Sequence, residues 1–207
     1  MFKSKKKHGA GKMVRTALLT AIIFVMAFTP LGYFKTGGLS ITLLPVPVII
    51  GAIVMGPMTG TVLGLAFGVT SLIQCFGLEP FGTALMGINP VGTILTCLVP
   101  RIIMGFLTGV IFAIFSHMDK NKLLSFAVTS FLGALFNTLF FMSFLVLFFY
   151  NTDFIQTIVA GMGSSNPFSF ALAFVGINGL IEAVACCVLA GAISKALYTV
   201  AVRKRLD

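Results

Sequence analysis

Long apolar runs separated by short polar breaks set the pattern of this chain. The first run covers residues 13–33, and a polar, glycine-rich stretch, KTGGLSIT, follows at 35–42. Residues 43–55 are apolar again and open with Pro45 and Pro47, which suit a helix start after an extended loop. Gly56-Pro57 marks a tight turn, and residues 59–73 form a third segment with Gly60, Gly64 and Gly68 on one face. Such a ladder of small residues lets a neighbouring helix approach closely. Residues 74–90 read as a turn-rich connection and residues 91–115 as a fourth segment. The break HMDKNK leads into a phenylalanine-rich fifth segment at 123–150. A long loop spans 151–167, and a sixth segment, 168–202, ends in RKRLD. At about 20 residues per span, the pattern predicts six transmembrane helices, the second and third of them short, irregular or tilted.

Composition reinforces this. The 207 residues are 58% apolar and 9% charged, and mean hydropathy is +1.09. A soluble domain would carry about 25% charged residues. The expected fold class is therefore an all-α integral membrane protein, a six-transmembrane-helix bundle over 13–202. Basic cytoplasmic tails at 1–12 and 203–207 flank it, and no length is left for a second, soluble domain. The opening apolar run is longer than a signal-peptide core and lacks an A-x-A cleavage site, so it reads as the first helix.

A formal charge of +9 could suggest nucleic acid, but its placement argues otherwise. Lys3, Lys5, Lys6, Lys7 and Lys12 precede the first run and Arg15 lies in its first turn, Lys120 and Lys122 lie in the HMDKNK break, and Lys195 near the end of the sixth segment is followed by Arg203, Lys204 and Arg205. That is the positive-inside pattern, with the basic N-terminus also suited to anionic lipid. Six spans put these clusters on one side, N-in/C-in. The opposite loops, 34–44, 74–90 and 151–167, hold only Lys35, Glu79 and Asp153 among charged residues.

Arg101 breaks the pattern: it is the only basic residue set near the middle of a run long enough to span a bilayer, immediately after Pro100. A cation at membrane depth costs roughly 2.5–3.5 kcal/mol on insertion scales, so it faces a partner, a cavity or a ligand. Counting about 1.5 Å per residue from the outer helix ends places Arg101 and Asn178 roughly 15 Å deep and Asn137 roughly 20 Å deep. Glu182 follows Asn178 by one turn, and the i, i+4 spacing puts both on one face. Amides donate and accept, and a guanidinium matches a carboxylate or phosphate. Two readings stand: an Arg101–Glu182 pair that locks helices, or a ligand site. Pro100 either kinks its helix or, by lacking an N–H, frees a carbonyl near Thr96 for a ligand or water. The candidate substrate-binding set is Arg101, Asn137, Asn178, Glu182, Asn89 and Thr96.

Other chemistries lack their residues. His8 and His117 lie in expected cytoplasmic segments, leaving no intramembrane nucleophile–base pair, so the chain is not expected to be an enzyme. GAGKM lacks phosphate-loop spacing, and Cys75, Cys97, Cys186 and Cys187 show no metal-binding pattern; three of the four fall in apolar runs and read as packing residues. No metal or cofactor is expected. Carboxylates at depth are too few for a proton relay, and no selectivity-filter motif is present. Uphill movement of a solute would draw on another polypeptide.

Three stretches carry a family resemblance: Ala17-Leu18-Leu19-Thr20-Ala21 in the first helix, LSITLLPVPVIIGAIVMGPMTGTVLGLAFGVTSLI at 39–73, and VPRIIMGFLTG at 99–109. Over nearly its whole length the chain resembles the S-components of energy-coupling factor transporters, which take up vitamins in bacteria and archaea, and is most similar to the pantothenate-type ones. The resemblance implies a multi-pass plasma-membrane protein that binds a vitamin outside, in a pocket capped by its first, third and fifth loops. It implies docking through Ala17 and Ala21 on a transmembrane coupling subunit that works with two ATPases. ATP use would then topple the subunit and release the vitamin inside. Arg101 with outer-half amides suits a small carboxylate such as pantothenate, while the 22 phenylalanines leave riboflavin or another heterocycle open. A self-sufficient carrier would require an internal repeat and coupling-ion ligands at the midplane, and no such repeat is visible.

Overall fold

Helix occupies nearly all of the apolar pattern. The computed structural model describes residues 4–36, 39–118 and 123–206; within these, the side chains of 4–10, 33–36, 39–41, 118, 177–178 and 201–206 fall outside the described set. The order is α1 (Ser4–Ala27), β1 (Tyr33–Thr36), β2 (Leu39–Thr42), α2 (Pro45–Met55), α3 (Pro57–Gln74), α4 (Pro80–Ile88), α5 (Pro90–Met118), α6 (Leu123–Phe149), α7 (Asp153–Gly161) and α8 (Pro167–Leu206). Most of the HMDKNK break and parts of both basic ends lie outside the described residues.

Among the described residues, four helices are long and apolar enough to cross a membrane: Pro57–Gln74, Pro90–His117, Leu123–Phe149 and Gly179–Val200. Pro45–Met55 and Pro167–Gly176 are apolar but shorter. At ~1.5 Å per residue, α2 is too short to cross a ~30 Å hydrocarbon core. It is buried continuously from Pro45 to Ile53, as a helix apolar on all sides must be. It packs against α1, α3, α5, α6 and α8 and forms the centre of the bundle.

The expected loops and boundaries differ from the structure in five places. The chain is helical from Ser4, so α1 begins well before residue 13 and ends at Ala27. The polar stretch after it is an antiparallel hairpin, pairing Tyr33 with Thr42 and Phe34 with Ile41. Both supposed connections contain helices. Glu79 caps α4 by accepting from the Phe81 and Gly82 N–H groups, and Thr152 caps α7 by accepting from Ile155 N–H. The prolines and polar residues that read as turns are helix-start signals here. Finally, α8 is not continuous: Gly176, with φ 49°, breaks it into two helices.

The ladder on α3 packs directly on α5. A Cβ at Gly60 would meet the Gly105 carbonyl, one at Gly64 the Arg101 carbonyl, and one at Gly68 the Cys97 carbonyl. Only glycine permits this contact, and it fixes the backbone that carries Arg101. Aromatic residues fill the rest of the bundle. Phe112, Phe126 and Tyr198 join α5, α6 and α8, while Phe81, Phe154, Phe170 and Phe174 tie α4 and α7 to α8.

Candidate ligand site

Arg101 is only 8% exposed, and three helices hold it. Because Pro100 has no N–H, the carbonyl of Thr96 on α5 is left without its intrahelical donor. Arg101 Nη1 donates to that carbonyl at 2.6 Å. The guanidinium carbon lies 5.4 Å from the ring centroid of Phe67 on α3 and 4.7 Å from that of Phe141 on α6. Cation–π contacts of this kind contribute about 0.5–2 kcal/mol each and shield the charge from lipid.

Beyond the guanidinium lies a cavity of about 400 Å³, within the usual range for a small-molecule site. Arg101, Asn137 and Glu182 all line it, so the structure joins three residues of the expected set, from three helices. Asn137 is 7% exposed, and its Oδ1 has no hydrogen-bond partner among the described residues. A buried acceptor without a donor favours a ligand that supplies one. Glu182 Oε2 accepts from Thr42 N–H at 3.3 Å, and Cys186, one turn further along α8, reaches the Thr42 carbonyl at 4.0 Å. The end of the hairpin is thus fastened to α8 at the rim of the cavity.

Two of the expected residues are elsewhere. Asn89 caps α5, its Oδ1 accepting from Gly92 N–H at 2.9 Å, and lines neither this cavity nor the larger one beside it. Thr96 gives its hydroxyl proton to Gly92 O at 2.7 Å and faces the larger cavity. The Asn178 side chain lies outside the described residues. The break at Gly176 puts Asn178 two residues into the second part of α8 rather than ten residues into a continuous helix.

Sequence reasoning passed over Phe67, Phe141 and Thr42. Phe141 sits four residues after Asn137 on α6, and that i, i+4 spacing was a usable signal. Phe67 adjoins Gly68 on the face of α3 that meets α5. Thr42 carried no signal, because its role comes from a backbone N–H.

Away from the cavity, Ala17 and Ala21 are exposed on α1, next to Val14 and Leu18 at 65% and 62% exposure. Cys75 and Cys97 face each other, Sγ to Sγ, at 3.6 Å.

The chain matches no curated protein. A family model described as "ECF transporter, substrate-specific component" matches residues 11–194, nearly the whole bundle and every residue of the cavity. With a polar, charge-bearing cavity set among membrane-spanning helices, this multi-pass membrane protein belongs to the family of substrate-specific components of ECF transporters, subunits that associate with the membrane and ATPase subunits of the ECF module.

Proposed function

We propose that this S-component binds a small anionic vitamin, pantothenate favoured, on the outer side of a bacterial or archaeal plasma membrane and delivers it inward with ATP hydrolysed by its partners. In this reading the bundle has six spans with both ends inside, and the chain has no catalytic chemistry or cofactor of its own. The partners are one transmembrane coupling subunit and two ATPases. They are engaged through Ala17 and Ala21, whose exposure on α1 leaves room for a close helix contact.

The observation that carries the reading is the buried Arg101 guanidinium in a cavity that also holds the acceptor of Asn137 and the carboxylate of Glu182. Arg101 pairs with the vitamin carboxylate in charge-assisted hydrogen bonds. Asn137 Oδ1 accepts from a hydroxyl or amide N–H of the ligand. Pantothenate supplies one carboxylate, two hydroxyls and one amide, which suits this donor and acceptor set.

A second reading, a flat heterocycle such as riboflavin, draws on Phe67, Phe141 and Phe174 in the cavity wall. The two separate by experiment. Purified protein is equilibrated with a mixture of vitamins, washed, and its bound content identified by mass spectrometry. Retention of pantothenate, displaced by excess unlabelled pantothenate, supports the first reading. Retention of a flavin or another uncharged ring in its place overturns it in favour of the second.

A further inference from the structure

Arg101 and Phe141 line not one cavity but two. The second, of about 730 Å³, lies between the end of α1, the end of α3, α4 and the first turns of α5. We propose that this larger cavity is a separate binding site for an amphipathic monoanion, a medium-chain or aryl carboxylate, whose head shares Arg101 with the smaller cavity. The inference rests on Arg101 lining both cavities and not on which vitamin the smaller one takes.

The chemistry of the lining selects the ligand. Most of the polar side chains around the larger cavity are committed to partners within the protein. Glu79 accepts from the N–H groups of Phe81 and Gly82. Thr93 donates to Asn89 O at 2.9 Å and Thr96 to Gly92 O at 2.7 Å. Gln74 donates to Ala27 O at 2.6 Å, and the thiols of Cys75 and Cys97 meet each other. Thr29 is different: its Oγ1 is buried and has no hydrogen-bond partner among the described residues. It is a donor available to an anion. The remaining wall is apolar, with Phe28, Leu78, Phe81 and Leu85. The Arg101 cation, the hydroxyls of Thr29 and Ser71 and an apolar wall match a ligand with one anionic end and a hydrocarbon body, the Glu79 carboxylate in the same lining being turned to the N–H groups that open α4. A polyhydroxylated solute would leave its hydroxyls unsatisfied there. Because both sites draw on one guanidinium, an anion in either weakens binding of an anion in the other.

The test is saturable binding of carboxyl-labelled [¹³C]octanoate to the purified full-length protein in a neutral detergent, followed by NMR, with 1-octanol as the uncharged control. Saturable octanoate binding is expected, weakened at least tenfold by Arg101→Gln and by Leu78→Asp and severalfold by Thr29→Val, with no matching site for octanol. Leu78 is 65% exposed, so Leu78→Asp puts a repelling charge at the cavity wall without disturbing packing. Asn137→Ala, which alters only the smaller cavity, should leave octanoate binding unchanged, and Leu78→Asp should leave vitamin binding unchanged. Equal octanoate binding by wild type and Arg101→Gln overturns the proposal, as does loss in Asn137→Ala but not in Leu78→Asp. Dioctanoyl phosphatidylglycerol distinguishes a lipid headgroup from a free carboxylate. Weaker binding than octanoate is expected, and tighter, Arg101-dependent binding would assign the cavity to lipid instead.

Discussion

Replacing Gly64 by alanine asks whether the glycine ladder on α3 sets the position of Arg101. The added Cβ would overlap the Arg101 carbonyl and approach Ile102 Cα at 3.3 Å, both backbone atoms that cannot rotate away. Forcing atoms into a packed contact costs ~1–3 kcal/mol. Alanine returns ~1 kcal/mol as the better helix former, so a net loss of about 0–2 kcal/mol is expected. Gly87→Ala is the matched control, because its Cβ meets no atom within 4 Å on an exposed position of α4. It should gain ~1 kcal/mol. The gap between the two variants is therefore about 1–3 kcal/mol, measured as thermal unfolding in one detergent. Ligand titration on the same samples should show weaker binding for Gly64→Ala alone, since the displaced segment of α5 carries the guanidinium. Matching stability and matching affinity in the two variants would refute the idea that this contact positions the site.

Three further outcomes follow from single contacts. Pro100→Ala supplies an N–H to the Thr96 carbonyl and competes with Arg101 Nη1 for it. Thermal stability should rise by up to ~3 kcal/mol, the penalty of a helix-interior proline, while ligand affinity falls severalfold in an equilibrium titration. Ala17→Trp or Ala21→Trp should abolish uptake by cells containing the whole transporter yet leave ligand binding by the isolated subunit within twofold; parallel loss of both would remove α1 as the docking face. Glu79→Ala removes the cap of α4 and should cost ~0.5–2 kcal/mol. Its signature is faster amide exchange at Phe81 and Gly82, and unchanged exchange there would show that the cap does not hold the helix.

Much of the site could be read from the sequence because membrane burial makes polar residues conspicuous. Arg101, Asn137 and Glu182 stood out in apolar runs, and helix rise placed them at comparable depth before any packing was known. Gly60, Gly64 and Gly68 announced a close helix contact by spacing alone. The parts that stayed hidden depend on partners distant in sequence. No periodicity on α5 shows that the Arg101 side chain takes the carbonyl freed by Pro100, or that Phe67 and Phe141 flank it. Glu182 stood out as a candidate partner for Arg101, but nothing local to it shows that it also bonds to the backbone of Thr42, 140 residues away. The kink at Gly176 was missed because one glycine inside a long apolar run carries no local mark of a positive φ. The helices α4 and α7 were missed because Pro80 and Thr152 signal turns and helix starts equally well.

The most direct measurement is ligand affinity in Arg101→Gln, taken by titration of the vitamin recovered with the wild-type protein. Hydrogen bonds to a charged group contribute ~1.5–3 kcal/mol, so affinity should fall roughly ten- to 150-fold. Circular dichroism and gel filtration should show an unchanged fold. Wild-type affinity in a properly folded Arg101→Gln protein would contradict the assignment of Arg101 as the residue that reads the anion.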